Sequence, residues 1–481
     1  MKREDTFYAA MLSRDARFDG KFFVAVKTTG IYCRPICPAK PKRENVEFFL
    51  SARAAAEAGY RPCLRCRPES APASAAWSGK SAVVRRAVSL IEESAGNGFK
   101  DEAFAARLGM GARHLRRLFR EELNITPKQL AAAFRLRLAR KLLAETRLPI
   151  GQVAYASGFS SLRRFNDAFS KHHGRPPRQA RKAGKKGEAI RLFLPYRPPF
   201  DFLAILNFYR VHQVGSLESF AEDSMERLVE HNGSIGLVEI RDAPERNCLE
   251  AKIDIPDLRA LPFLLSRVRT MFDLDADPLI LANAIGSDKK MKAILAKHPG
   301  VRLPSGWDGF EIGVGTILGQ FVSLACARSL VHALVETLGE PVAFASGPRR
   351  LFPSPARVAG ADLTFLKTTG ARKETLRAFA SAVAGGAISL SPEQDPETFR
   401  RGLLSLKGIG PWTANYMTLK ILRHTDAFPE TDLILARALE HHPLEELEAL
   451  RPWRAYAAIL LWLEYAEALK KKAIPVKRTK R

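Results

Sequence analysis

The chain is poor in cysteine and has no long apolar run, and each absence narrows what it can be. Six cysteines in 481 residues are too few for a disulfide-stapled fold, and a reducing compartment keeps such thiols free. No uninterrupted apolar stretch approaches the roughly 18 residues that a membrane-spanning helix needs. The opening MKREDTFYAA is charged and lacks an apolar segment, so it does not read as a secretory signal. A cytoplasmic protein is expected. Acidic residues are scarce in one half only. Residues 1–187 carry 38 Lys+Arg against 16 Asp+Glu, a balance of +22, whereas residues 188–481 carry 38 against 35, a balance of +3. The first half is therefore suited to a polyanion. A length of 481 residues exceeds the roughly 100–200 of one domain, and 46% hydrophobic with 26% charged residues describes folded domains rather than a disordered chain.

Four of the six cysteines fall in two close pairs, Cys33-x3-Cys37 and Cys63-x2-Cys66. A close pair lets one turn present two thiolates to the same ion, and two pairs complete a tetrahedral sulfur shell that suits zinc. Zinc would also let so short a segment fold without a large core. Cys248 and Cys326 sit in apolar surroundings, RNCLEAKI and SLACARSL, and read as ordinary buried thiols.

The strings FFVAVKTTGIYCRPIC, RENVEFF and AGYRPCLRCRPE resemble the zinc domain of the Ada adaptive-response family over about residues 7–70. The resemblance implies that Cys33 takes a methyl group from a DNA methylphosphotriester, with Cys37, Cys63 and Cys66 as the other ligands. A purely structural zinc is the alternative. Zinc holds a thiol as thiolate, and the thiolate is the nucleophile. Four thiolates around Zn²⁺ leave about −2, so methylating one removes negative charge and is expected to tighten DNA binding.

After PESAPASAAWSGKSA, which reads as a linker over 68–82, two helix–turn–helix patterns follow. The first, DEAFAARLGMGARHLRRLFREEL, turns at Gly109 and carries Arg113, Arg116, Arg117 and Arg120 on its second helix. The second, IGQVAYASGFSSLRRFNDAFSKHHG, turns at Gly158 and is followed by Ser161, Arg163, Arg164 and Asn166. A helix over about 127–145 would join them. SGFSSLRRFNDAFSKHHGRPPRQAR resembles the AraC-type regulators, which implies a DNA-reading second helix and RNA polymerase as a further partner. Leu115, Leu118 and Phe119 interleave with the arginines, setting the basic groups on an outward face. A merely solvated face is the alternative.

The basic bridge RQARKAGKKGE (178–188) leads into a mixed region, 190–285, and then into a pattern that reads as helical from about 305. Within it stands LKGIGPWTANYMTLKIL, residues 406–422. A glycine turn between apolar helices exposes backbone N–H groups that can hold a phosphate. The string resembles the helix-hairpin-helix DNA glycosylases, and with RLPSGWDGFEIGVGTILGQFVSL and RPWRAYAAILLW resembles the AlkA branch over roughly 190–465. The resemblance nominates Gly408 and Gly410 for DNA contact, Asp432 in FPETDLILARAL as the catalytic carboxylate, and Phe321 as the side chain that fills the gap left by a flipped base. It points to Trp412, Tyr416 and Trp462 as pocket walls, with Trp453 as packing.

An alkylated purine is cationic and leaves readily; a carboxylate stabilises the oxocarbenium-like sugar left behind. The alternative for Asp432 is a helix N-cap, a role that is compatible with catalysis, and the alternative for Phe321 is a core residue. The glycosylases that also cut the strand carry a lysine where this chain has Trp412, so no lyase step is expected. The C-terminal four-cysteine run of an iron–sulfur cluster is missing, as is the PCHR string of a methylguanine acceptor.

The expected fold is multidomain α+β and mostly α: a zinc domain (1–70), an all-α double helix–turn–helix (82–181), an α+β subdomain (188–302) and a helical glycosylase domain (303–468). The expected function is alkylated-base excision, as of 3-methyladenine, joined to a methyl-accepting transcription regulator acting on double-stranded DNA, with one zinc and no membrane. Two alternatives stay open: a damage-responsive regulator with a non-catalytic second half, and a zinc-dependent scaffold without sequence preference. The terminal KKKAIPVKRTKR adds phosphate attraction.

Overall fold

Alternation builds the first sheet. Phe22, Val24 and Val26 bury on one side with Ala10 and Met11 of the helix Arg3–Leu12 and with Val46. Phe23 and Ala25 turn the other way, to Tyr32 and Ala55, as a two-residue repeat requires. The computed structural model describes residues 3–14, 18, 22–35, 37, 39–49, 54–55, 58–63, 82–94, 101–108, 110–181, 190–286, 288–344, 347–392, 394–441 and 450–473. Cys66, Gly109, most of the linker at 68–82, and much of the 178–188 bridge and the terminal basic run lie outside them.

Four strands lie in the order Val46–Phe49, Phe23–Val26, Ile31–Cys33, Arg61–Pro62. The first three are antiparallel, but the last runs parallel to its neighbour with Tyr32 opposite Pro62. That register brings the next residues, Cys33 and Cys63, to the same end of the sheet. The Cys63 N–H donates to Tyr32 O at 2.9 Å.

The helix–turn–helix segment begins with helices Ala82–Ser94, Asp101–Arg107 and Ala112–Leu123 around Leu90, Ile91, Phe104, Leu115 and Phe119. Thr126 and Gln129 cap each other's backbone at the start of helix Pro127–Glu145, so T-x-x-Q marks a true boundary. Helices Ile150–Ala156 and Leu162–His173 form the second pair, and Gly158 between them has φ 78°. The long helix is tied to the next strand: the Glu145 carboxylate accepts from Phe193 N–H at 2.9 Å, and Lys141 donates to Phe193 O. Strands Ile190–Pro195, Cys248–Asp254 and Ser234–Ala243 pair antiparallel in that order, burying Leu192, Leu194, Val238, Ile240, Leu249 and Ile253.

The chain divides into two compact units, Met1–Tyr196 with Val229–Arg269, and Arg197–Leu228 with Thr270–Arg481. The elements above belong to the first. In the second, helices predominate. Gly313 of helix Gly309–Leu318 meets the Phe379 ring so closely that an added Cβ would fall 2.3 Å from it, so glycine sets the approach to helix Gly370–Ala384. The wholly helical reading from 305 onward needs correction: Pro341–Phe344 and Gly347–Arg350 pair as an antiparallel hairpin. Four-residue strands are too short for a period to show. Among the described residues no helix is long and apolar enough to cross a membrane.

Candidate active site

Helices Pro396–Leu404 and Pro411–Ile421 flank the glycine turn. Gly408 has φ 90°, and a Cβ there would lie 2.0 Å from Thr375 Oγ1, so both conformation and space demand glycine. Gly410 caps the second helix with open space around it. Pro411 takes the first helical position, where its missing N–H costs nothing. Trp412 and Tyr416, four residues apart and so on one face, stack with ring centroids 5.4 Å apart and planes 20° from parallel. Trp462, from helix Arg454–Ala473, closes the cage at 6.0 Å from Tyr416.

Asp432 is 9% exposed at the start of helix Leu433–His441. Its Oδ2 accepts from Trp412 Nε1 at 2.7 Å. Its Oδ1 accepts from Trp462 Nε1 at 3.1 Å and from the backbone N–H of Ile434 and Leu435 at 3.0 and 2.8 Å. The cap and the cage residue are thus one carboxylate. Burial, and then the Asp432 charge, push the Tyr416 hydroxyl up to about 12, so it remains a neutral donor. These groups line a cavity of about 760 Å³, within the size range of small-molecule pockets.

Phe321 is fully exposed and has φ 55°, so it is not the core residue that the alternative reading describes. Its neighbour Gln320 was not singled out in the sequence. The Gln320 amide donates to Gly408 O at 3.0 Å and to Thr413 Oγ1 at 2.9 Å, while Arg372 donates to Gln320 O. The loop bearing Phe321 is therefore fastened to the hairpin. Another group missed is Lys420, buried on the cavity wall; its four-residue spacing from Tyr416 was the available signal. Trp453 is half-buried and packs edge-on against Tyr456, centroids 6.1 Å apart.

In the first unit, the sulfurs of Cys33, Cys37 and Cys63 all lie within 4.8 Å of one another, with Cys33 and Cys37 buried. Three converging thiols fit a zinc ion; Cys66, expected as the fourth, lies outside the described residues. Cys326 is exposed, which corrects its reading as a buried thiol: it lies on the outer side of its helix. Cys248 is half-buried, and burial raises its thiol. Arg113, Arg116, Arg117 and Arg120 are exposed on the helix whose Leu115 and Phe119 are buried. Arg163 and Arg164 are exposed at the start of the other second helix, where Ser161 Oγ caps Arg164 N–H. Arg117 lies 3.7 Å from Glu121, an exposed pair too weak to hold it from a phosphate.

Three family models match the chain: the metal binding domain of Ada over residues 6–69, a helix-turn-helix domain over 104–183, and the AlkA N-terminal domain over 191–308. A Mycobacterium tuberculosis protein named "Probable bifunctional transcriptional activator/DNA repair enzyme AlkA" is 37% identical over 474 residues, 95% of each chain. The Escherichia coli protein named DNA-3-methyladenine glycosylase 2 is 32% identical over 277 residues, 56% of this chain and 95% of its own. Among solved structures, a 3-methyladenine DNA-glycosylase from Archaeoglobus fulgidus matches with TM-score 0.50 at 18% identity, covering 57% of this chain and 98% of that one. At that identity the likeness concerns the fold alone.

Proposed function

Because the chain belongs to the family of bifunctional transcriptional activator/DNA repair enzymes, we propose that it excises alkylated bases such as 3-methyladenine and activates transcription in response to alkylation. The observation that carries the first activity is Asp432, held by two indole N–H groups at the wall of an aromatic cavity. A flipped, cationic base stacks against Trp412, Tyr416 and Trp462, whose electron-rich faces favour positive charge. As the N-glycosidic bond breaks, the Asp432 carboxylate offsets the charge that develops on the sugar and orients the attacking water. Phe321, exposed on a loop pinned through Gln320, fills the vacated stack, and the amides beside Gly408 and Gly410 hold the backbone. No amine stands at Trp412, so the reaction ends at base release.

For the second activity, the four-domain division at 1–70, 82–181, 188–302 and 303–468 supplies a methyl sensor and a promoter reader. Cys33, Cys37, Cys63 and Cys66 would hold a zinc ion, which would keep their sulfurs as thiolates. The Cys33 sulfur bonds to the methyl carbon as the methyl–oxygen bond of the phosphotriester breaks, leaving a phosphodiester anion. The Arg113–Arg120 and Arg163–Arg164 faces contact promoter DNA. Activation calls for RNA polymerase as a partner, and work on the chromosome places the protein in the cytoplasm.

Single-turnover base release from methylated duplex tests the first activity: Asp432→Asn is expected to slow it by about 10²–10³-fold, and an unchanged rate would remove Asp432 from the chemistry. A parent protein that releases no base would leave a regulator with a non-catalytic second half. Mass spectrometry after exposure to methylphosphotriester DNA should find one added methyl on Cys33 and none in Cys33→Ser.

A further inference from the structure

The helix that carries Trp412 and Tyr416 presents a third group on the same face. Lys420 follows Tyr416 by four residues, as Tyr416 follows Trp412, and all three line the cavity that contains Asp432. Lys420 is 4% exposed. Its Nζ donates to Pro304 O at 2.8 Å and lies 4.5 Å from the Phe208 ring centroid and 5.8 Å from that of Tyr416. Among the described residues no carboxylate pairs with it. An ammonium brings three N–H donors, and one is used here. A charged amine enclosed by carbon, with no anion beside it, is costly.

We propose that Lys420 sorts flipped bases by charge: as a neutral amine it admits a cationic N-alkylpurine, and as an ammonium it repels one. The inference rests on the reading of this cavity as the pocket of the flipped base. Burial pushes the Lys420 amine down to about 7, so the neutral form prevails only above that pH. Two positive charges a few ångströms apart in a desolvated cavity oppose each other far more than in water. The neutral nitrogen also offers a lone pair to an exocyclic amine, which the ammonium cannot do.

The titratable and charged groups around Lys420 are few. His212, just past helix Phe202–Val211, is lowered by burial first and also by Lys420. Tyr416 shares its helix and stays neutral. Arg302, in the segment that supplies Pro304, directs Nη1 to the carbonyls of Gly300 and Val301 and Nη2 to those of Arg197 and Pro199. Glu311 lines the same cavity and is pushed up to about 7 by burial, against the opposing effect of Arg227. Asp432 acts on Tyr416. Glu218, Arg227, His298 and Arg328 also line the cavity; His212 and Glu311 serve as the rival groups in the test.

The test is single-turnover base release by the full chain from duplex treated with dimethyl sulfate, between about pH 5.5 and 8.5. In the parent, the rate should fall about tenfold per pH unit below 7, as the neutral fraction does. Lys420→Met should flatten that acid limb, Lys420→Arg should be slow by about ten- to a hundredfold throughout, and His212→Asn and Glu311→Gln should keep the limb. An acid limb that persists in Lys420→Met, or a Lys420→Arg rate equal to the parent's, would overturn the proposal. Thermal melting and binding to an abasic-site duplex report the fold of each variant, and a single folded Lys420 variant is enough to decide between the two outcomes. A parent that releases no base at any pH would instead sink the pocket reading, and this inference with it.

Discussion

Phe321 and Gly408 illustrate opposite uses of the left-handed backbone. Gly408 sits there because its turn and Thr375 leave no room for a side chain. Gly408→Ala is expected to cost about 1–3 kcal/mol, read by denaturant unfolding, and to weaken duplex binding. Phe321 holds a conformation that bulky residues avoid, yet its ring touches solvent only. Phe321→Ala should therefore leave stability unchanged while base release slows about tenfold; a drop in melting temperature equal to the loss of a buried phenylalanine would refute the wedge role. Trp462→Phe keeps a ring in the cage but deletes one N–H to Asp432. Since hydrogen bonds to charged groups contribute about 1.5–3 kcal/mol, base release should slow about tenfold or more, against little change if the indole only packs.

At the scale of elements, the second helix–turn–helix carries its own pH limit. His173 ends helix Leu162–His173, its ring 4.3 Å from that of Phe169, and burial pushes its imidazole down to about 2. The unfolded chain binds a proton there below the ordinary histidine value near 6.5 and the folded chain does not. Stability is thus complete above about 6.5 and declines as pH falls toward 2, by at most about 1.4 kcal/mol per unit. His173→Phe should flatten the dependence of urea unfolding on pH from about 7 to 5. The elements themselves were largely legible. The turns at Gly158 and Gly408 and the close spacing of Cys33 and Cys37 each encode local geometry within a few residues. What stayed hidden depends on distant partners. Gln320 acquires its role from a carbonyl 88 residues away, and Lys420 from one 116 residues away. The sequence, with the hairpin upstream, favours Asp432 as catalyst and allows it to be a cap as well; the convergence of three helices shows one carboxylate that caps a helix and accepts from two indoles.

Across the whole molecule, charge separates the two ways of meeting DNA. The +22 of residues 1–187 includes the exposed arginines of both second helices, so promoter affinity should fall steeply with salt. If the proposed arginine face uses Arg113 on a phosphate, Arg113→Ala should reduce that slope by about 1; an unchanged slope would take this side chain off the phosphate backbone. In the mode proposed above, the nearly neutral remainder would use turn amides, a bare phenyl ring and an aromatic cage, which need little net charge. The cage also has a direction. Among the described residues three N–H groups crowd Oδ1 of Asp432 and one reaches Oδ2. The carboxylate therefore has a spent oxygen and an available one. In the proposed reaction a sugar would meet Oδ2 more readily than Oδ1, because the contacts that begin the helix occupy Oδ1.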